Sequence, residues 1–320
     1  MSQQIVTIIG GTGFVGRYIV KRLAAAGYTI RVVSRHPDAS LHLKTAGAVG
    51  QIVLVGGDLT QPDSLIGKLD YSHAVINLAG IMFESGRQNF TDLHAHGAKK
   101  LAQMAKSLGV PRFIHVSALG VDKAADSAYA HSKTLGEKAV ISVFPEATIL
   151  RPSVIFGAED RFFNQFATMA GLSPLLPVIG GGQTKFQPVY AGDIAKALTS
   201  CLMRPEAMGQ VYELGGPQVY TFRQILQYIL RVTARRRLLV NMSFELASSM
   251  APVAQYLPYP FRFTADQVKL LHYDSVVSPG AMTFADLNID PTAVEMVVPE
   301  YLARFNKKIA AEAAGERLKI

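Results

Sequence analysis

Short β-branched apolar runs alternate along the first half of the chain with longer stretches in which apolar residues recur every three or four positions. The runs Ile5–Ile9, Thr29–Ser34, 52–55, 74–78, 113–117 and 148–150 read as strands. Between them, 15–26 and 93–108 read as amphipathic helices. Strand–helix alternation of this kind predicts an α/β fold, a doubly wound parallel sheet covered on both faces. The rhythm breaks after Pro152. Gly180-Gly181-Gly182 and several prolines punctuate the second half, and only 194–203 and 222–233 stand out there as helices. Residues 300–320 read as a charged, alanine-rich surface helix. The division expected is a domain over 1–160, to which the chain returns near 187–204, and a smaller C-terminal lobe over 161–320. No internal repeat or low-complexity tract interrupts it.

The first strand runs into Gly10-Gly11-Thr12-Gly13-Phe14-Val15-Gly16, which opens a helix. Glycines at 10, 13 and 16 carry the spacing of a phosphate loop. Gly10 permits a tight turn, and Gly13 lets backbone N–H groups approach a pyrophosphate. Gly16 lets the helix pack close to the strand. The strand before and the helix after supply the context that a glycine motif needs, so the sheet is expected to be of the Rossmann type. The competing reading is a structural glycine turn. The second strand ends in Ser34-Arg35-His36, where an NAD-selective site would place an acid. Ser34 can donate to a 2′-phosphate and Arg35 can pair with it, which favours NADP(H) over NAD(H). Otherwise Arg35 is an ordinary surface arginine. Two further strand ends carry Asp58-Leu59 and Asn77-Leu78-Ala79-Gly80, at the edge where ligands of open parallel sheets bind.

Composition narrows the classes. In 320 residues, 49% are hydrophobic and 18% charged, which supports a packed core rather than long disorder. The single cysteine, Cys201, excludes an internal disulfide and a cysteine metal cluster. His94 and His96 lie two apart, on different faces of a helix, so no metal site is expected. The net charge of +8 admits nucleic acid, an anionic membrane or an acidic protein as partner, or simply a basic surface. No aromatic-interleaved basic motif occurs, so nucleic acid is not expected. No stretch reaches the ~18 apolar residues of a membrane span. The start reads as a strand rather than a targeting segment, so a cytoplasmic protein is expected, peripheral on the inner face of the membrane if membrane-bound. Residues 238–261 hold one charge, Glu245, and come directly after Arg235-Arg236-Arg237. Leu246, Met250, Val253 and Leu257 recur there at helical spacing, among Pro252, Pro258 and Pro260. The segment reads either as a core helix of the second lobe or as a lipid-surface element.

Tyr129 and Lys133 lie four apart on a predicted helix and share one face. With the Gly10–Gly16 loop, Asp58-Leu59, Asn77–Gly80, Arg151–Gly157 and Gln187–Ile194, this pair resembles the short-chain dehydrogenase/reductase superfamily in its extended, NAD-dependent epimerase-like branch. The segments 115–120, 264–268 and 299–302 are similar to an atypical subgroup. That subgroup includes the NADPH-binding accessory subunit of respiratory complex I and bacterial proteins labelled sugar-nucleotide epimerases. The resemblance covers nearly the whole chain. It implies Tyr129 as acid/base and Lys133 as the cation that lowers its pKa, both also touching the cofactor, with Pro152 on the segment that passes the nicotinamide. It also implies a serine or threonine just beyond the fifth strand, where Ala118 and Leu119 stand instead; Ser117 is the stand-in hydroxyl, one position deeper. An asparagine expected three residues before Gly97 is replaced by His94.

A complete cofactor motif beside an incomplete catalytic one favours a structural, assembly or regulatory subunit of a complex I-like NADH dehydrogenase, with complex I subunits and the membrane surface as partners. The alternatives are an NADP-dependent sugar-nucleotide epimerase or reductase using Tyr129 and Lys133, and a sensor of the NADPH/NADP⁺ ratio.

Overall fold

The computed structural model describes residues 4–86 and 88–306. Within it the chain forms two compact units. The first comprises the chain up to Pro152, Ala191–Leu214 and Val277–Asp290; the second comprises Ser153–Tyr190, Gly215–Val276 and the described residues from Pro291. The first crossing thus falls at Pro152 rather than near 160. The chain returns to the first unit twice, where the sequence pattern predicts one return.

The first unit is built on a seven-stranded sheet. Its strands β1 (Ile5–Ile9), β2 (Thr29–Ser34), β3 (Ile52–Gly56), β4 (Ser72–Asn77), β5 (Arg112–Val116) and β6 (Thr148–Pro152) are joined by Val211–Leu214. The order is β3-β2-β1-β4-β5-β6 and then Val211–Leu214, with every pairing parallel. Strand order reverses between β1 and β4, so a crevice opens at their carboxyl ends, where doubly wound sheets bind ligands. This is the expected Rossmann-type α/β fold.

The two faces of the sheet are covered differently. On one lie α1 (Phe14–Ala25) and the helix Ala191–Met203, which pack against each other. On the other, Val75, Phe113 and Ile149 meet Leu93, Leu101, Ala102, Val140 and Phe144 of the helical layer. The Phe113 and Phe144 rings pack with centroids 5.5 Å apart. Truncating either ring would cost roughly 3–5 kcal/mol, the transfer term plus the cavity left behind.

Three elements depart from expectation. β4 starts at Ser72, two residues earlier than the apolar run, because the Ser72 hydroxyl is satisfied by Thr7 at 2.7 Å inside the sheet. The stretch 93–108 is not one helix. A π-helical turn, Thr91–Gly97, precedes α2 (Ala98–Ser107). At Gly97 a Cβ would lie 2.8 Å from Leu59 Cγ and 3.0 Å from the Leu59 carbonyl, so the missing side chain lets this turn press on the loop after β3. Widened turns of this type are frequent at functional sites. The edge strand Val211–Leu214 has no counterpart among the predicted strands. Its Glu213 N–H donates to the Met282 carbonyl at 2.8 Å, so the second return covers the sheet edge.

In the second unit, Phe156, Phe163, Ile225, Ile229, Val294, Val298 and Leu302 form a core. Helix Val294–Leu302 supplies the last three, one per turn, and a short 3-10 turn, Ala303–Phe305, ends it. The expected surface helix over 300–320 is therefore corrected: its first residues close a helix that begins at Val294 and is buried along one face. Residues 307–320 lie outside the described residues.

Candidate functional site

The loop between β1 and α1 uses its three glycines in three ways. Gly10 has φ of +80°, which an L side chain rarely adopts, and a Cβ there would stand 3.1 Å from the Ala79 nitrogen. Absence of a side chain thus lets the ends of β1 and β4 touch. Gly16 has a different partner from the one expected. Its Cβ would lie 2.4 Å from the Gly11 carbonyl oxygen, so it fits α1 against its own loop rather than against the strand. Gly13 is exposed, has an ordinary φ of −73°, and a Cβ would meet only the Gly10 oxygen, at 3.3 Å. No packing demand explains that glycine. It sits at the N-cap of α1, which has neither a capping side chain nor an acid in its first turn. The first backbone N–H groups of a 12-residue helix are then left for an outside acceptor, at the positive end of its dipole. Phe14 and Val15 begin that helix, and both are partly exposed.

Beside this loop, Thr12 Oγ1 lies 3.5 Å from Ser34 Oγ, which also accepts the His36 N–H at 3.3 Å. Arg35 is exposed at the end of β2. The next two strand ends are less open than their residue types suggest. Asp58 Oδ1 accepts from both the N–H and the hydroxyl of Thr60, at 2.9 and 2.8 Å, and so builds its own turn. The Leu59 side chain belongs to the core cluster; only its backbone can face a ligand. Asn77 is buried and committed at both ends. Its Oδ1 accepts the Ala79 N–H at 3.1 Å, and its Nδ2 donates to His115 Nδ1 at 3.1 Å. Asn77 positions the Leu78–Gly80 turn and does not present its amide to a ligand. Leu78 and Ala79 are partly buried and Gly80 is exposed.

α3 (Ala128–Val143) starts at Ser127, whose hydroxyl accepts the Ala130 N–H. It brings Tyr129 and Lys133 beneath the Gly80 turn: a Cβ on Gly80 would lie 3.6 Å from Lys133 Nζ and from His94 Nε2. The Tyr129 ring meets Phe90 and His94 edge-on, at 5.9 and 5.6 Å between centroids. Lys133 Nζ donates to the Val116 carbonyl at 2.9 Å. Burial pulls its pKa down to about 8, against the opposing pull of the Glu137 carboxylate. Glu137 in turn takes a bidentate pair from Arg151, with Nε–Oε1 at 3.0 Å and Nη2–Oε2 at 2.6 Å. Sequence reasoning does not single out this buried Lys133–Glu137–Arg151 chain, although one signal is present: an acid one turn after Lys133 on an otherwise apolar helix face.

Hydrogen bonding settles the His94 tautomer. The Ser132 hydroxyl donates to the Tyr129 carbonyl at 2.7 Å and must accept from His94 Nδ1–H at 2.8 Å. His94 Nε2 then accepts the Ile81 N–H at 3.0 Å. Burial, and then the Lys133 charge, lower its pKa to about 3. His94 is a neutral strut joining the Gly80 turn to α3, with no nitrogen left for a substrate. His115 is held neutral likewise, its pKa lowered by burial, Lys133 and His94 in that order. Among the described residues its Nε2 is buried without a partner, and so is Ser117 Oγ. Ser117 is only 4% exposed. Its N–H donates to the Leu150 carbonyl, and the Leu119 N–H donates to the Pro152 carbonyl, which fixes β5 and β6 together beneath the site.

The sheet crevice, the uncapped helix and the bare Gly13 fit a dinucleotide. The tyrosine and lysine fit proton transfer to a carbonyl, but no second hydroxyl reaches them from Ala118 or Leu119.

The sequence pattern of the NAD dependent epimerase/dehydratase family matches residues 6–215. An NADH dehydrogenase [ubiquinone] 1 alpha subcomplex subunit 9 from Arabidopsis thaliana mitochondria is 36% identical, over 95% of this chain and 78% of its own length. A ceramide reductase of Caulobacter vibrioides is 30% identical over 74% of this chain and 73% of its own. Among solved structures, the NADPH-dependent quinone oxidoreductase of Escherichia coli, determined with NADPH, superposes with a TM-score of 0.73 at 19% identity, covering 93% of this chain and 99% of that one.

Proposed function

The chain belongs to the NAD dependent epimerase/dehydratase family, and from that premise we propose that it is an NADP(H)-binding accessory subunit of a membrane NADH dehydrogenase of the complex I kind rather than a turnover enzyme. The observation that carries this reading is the contrast within one site. The phosphate loop is complete, while Ser117 is sealed below the surface and His94 is locked neutral between Ile81 and Ser132. Relatives named as subunits of the mitochondrial NADH dehydrogenase support it.

In this reading Gly10, Thr12, Gly13, Phe14, Val15 and Gly16 carry the pyrophosphate. Ser34 and Arg35 hold the 2′-phosphate that distinguishes NADP(H), Asp58 and Leu59 border the adenine, and Leu78, Ala79 and Gly80 border the ribose. Tyr129 and Lys133 hold the nicotinamide ribose, with Pro152 alongside. A cofactor bound only by the native fold stabilises that fold by mass action, without chemistry. In this reading the protein is cytoplasmic and peripheral on the inner face of the membrane. Among the described residues no helix is long and apolar enough to cross a membrane.

A second reading is favoured by Tyr129, Lys133 and the ceramide reductase relative. NADPH, when bound, would supply the hydride; Tyr129 would give its phenolic proton to the carbonyl oxygen, and Lys133 would stabilise the phenolate that remains. Purification from detergent-solubilised membranes, with a turnover screen on the same preparation, decides between them. Co-purification with the dehydrogenase and no turnover supports the subunit; turnover abolished by Tyr129→Phe supports the enzyme.

A further inference from the structure

Helix Phe244–Ala254 packs in the reverse sense for a helix on a hydrophobic core. Its buried residues are Ala247, Ala251 and Ala254. Leu246, Met250 and Val253 share another face and stand 51, 44 and 71% exposed. Large side chains are thus in water while small ones are packed, so of the two readings of this segment the core helix accounts only for the alanine face. Isolated surface leucines are ordinary, but a helical stripe of them marks an interaction face.

The stripe extends beyond the helix. Tyr256, Leu257 and Tyr259 come next and are exposed. The Tyr259 hydroxyl lies 3.5 Å from Thr168 Oγ1, and Gln165 donates to the Pro260 carbonyl at 2.8 Å. Those contacts lay the turn along helix Phe162–Leu172, which ends in the exposed Leu172. Just beyond, Leu175 and Leu238 pair in register across a parallel two-stranded ribbon, and both face solvent. Immediately before Leu238 stand Arg235, Arg236 and Arg237. Arg235 donates to the Phe305 carbonyl at 3.2 Å and Arg237 to the Ala170 carbonyl at 2.7 Å. Backbone oxygens anchor these two side chains without neutralising their charge. Arg236 is exposed.

We propose that this face is a lipid-binding surface that lays the second unit on an anionic bilayer. Leu246, Met250, Val253 and Leu257 enter the interfacial layer, the two tyrosines sit at headgroup level, and the arginine cluster meets the phosphates. An apolar stripe beside a basic cluster, with tyrosines at its edge, is the composition of an in-plane membrane element. A second copy docking face to face would bring like guanidinium clusters into one contact, which disfavours self-association. The inference deepens the proposed attachment to a membrane dehydrogenase, but it concerns lipid alone and is tested without the complex.

Flotation of the purified full chain with vesicles of phosphatidylcholine alone, and of phosphatidylcholine with phosphatidylglycerol, is the test. The wild type is expected to float with the anionic vesicles about tenfold more than with the neutral ones, and to be released by salt. The double variant Leu246→Glu/Val253→Glu and the single variant Arg236→Glu should each lose most of that binding. All these positions are exposed, so the melting temperature and its rise with NADPH should match wild type. Wild type left unbound by both vesicle types would overturn the proposal, as would a double variant that floats like wild type. A wild-type dimer made monomeric by the double variant, with no flotation, would reassign the face to self-association. Flotation retained in a protein that never co-purifies with the dehydrogenase would instead sink the subunit reading and leave the lipid surface standing.

Discussion

His94 Nδ1 donates to Ser132 Oγ at 2.8 Å, and this bond decides the charge at the centre of the site. Ser132 spends its own proton on the Tyr129 carbonyl, so the imidazole must be neutral to satisfy Ile81 on its other nitrogen. The same bonds tie the Gly80 turn to α3 through a single side chain.

This neutral imidazole makes stability depend on pH. The folded pKa of His94, about 3, lies below its ordinary value of 6.5. As pH falls below about 6.5 the unfolded chain takes up a proton that the folded chain refuses, so stability is lost on the acid side and unaffected above. The loss from this group alone is about 1.4 kcal/mol per pH unit down to the folded pKa. His115 adds in the same direction. Denaturant melts of wild type and His94→Gln between neutral and mildly acidic pH should show a shallower slope in the variant. An imidazole resonance of His94 titrating at its ordinary value would refute the neutral strut.

The three glycines of the loop should separate by variant. Gly16→Ala forces a Cβ onto the Gly11 carbonyl, where backbone cannot yield, and should cost several kcal/mol or prevent folding. Gly13→Val meets only the Gly10 oxygen and should fold, with a cost of about 1 kcal/mol at an N-cap. It should nonetheless abolish NADPH binding, read by fluorescence of the reduced nicotinamide. Tight binding by Gly13→Val would show that backbone at 13 does not approach the phosphates.

In the proposed reading, cofactor choice rests on Ser34 and Arg35. Wild type is expected to bind NADPH at least tenfold more tightly than NADH, about 1.4 kcal/mol. Arg35→Ala should remove most of that difference by weakening NADPH and leave NADH unchanged, since Arg35 is exposed. Calorimetry on both proteins measures it. Equal affinities in the wild type would reject the selection of the 2′-phosphate.

Much of the fold is legible in the sequence, for identifiable reasons. β-branched runs buried on both faces of a parallel sheet announce themselves, so the predicted and observed bounds of β1 and β2 agree to the residue. Val211–Leu214 is hidden by Glu213, a charge in mid-strand. Its carboxylate accepts the Ser278 N–H at 2.7 Å and faces Arg151 at 3.7 Å, partners distant in the chain. The π turn at His94 keeps nearly the helical apolar spacing, so spacing alone does not reveal it. Asn77 resembles a ligand contact because a short polar residue at a strand end can serve the ligand or the loop. Periodicity likewise groups Leu246, Met250 and Val253 on one face without saying whether that face is covered. The alanines at 247, 251 and 254, on the adjacent face about 100° round the helix, hold the answer.

Bound NADPH is expected to serve the fold rather than chemistry. Little or no turnover of sugar nucleotides or quinones is expected, together with a clear rise in melting temperature on adding NADPH. Reduction of a carbonyl needs a donor poised at the developing oxyanion, and losing one such donor costs about 3–4 kcal/mol in enzymes where it has been removed. Here Ala118 and Leu119 bring no hydroxyl, Ser117 lies beneath the surface, and the nitrogens of His94 are spent on Ile81 and Ser132. Tyr129 and Lys133 alone would leave such a deficit. Stabilisation makes no such demand, because it requires only that the folded chain bind what the unfolded chain does not. At 100 times the dissociation constant the gain is about 2.7 kcal/mol, enough to move a melting curve by several degrees. Thermal melts with and without NADPH, beside a turnover screen of wild type and Tyr129→Phe, supply both readouts. Robust turnover lost in Tyr129→Phe would sink the structural reading. An inert wild type that NADPH stabilises, and a Tyr129→Phe variant stabilised nearly as much, would place the value of the cofactor in the fold.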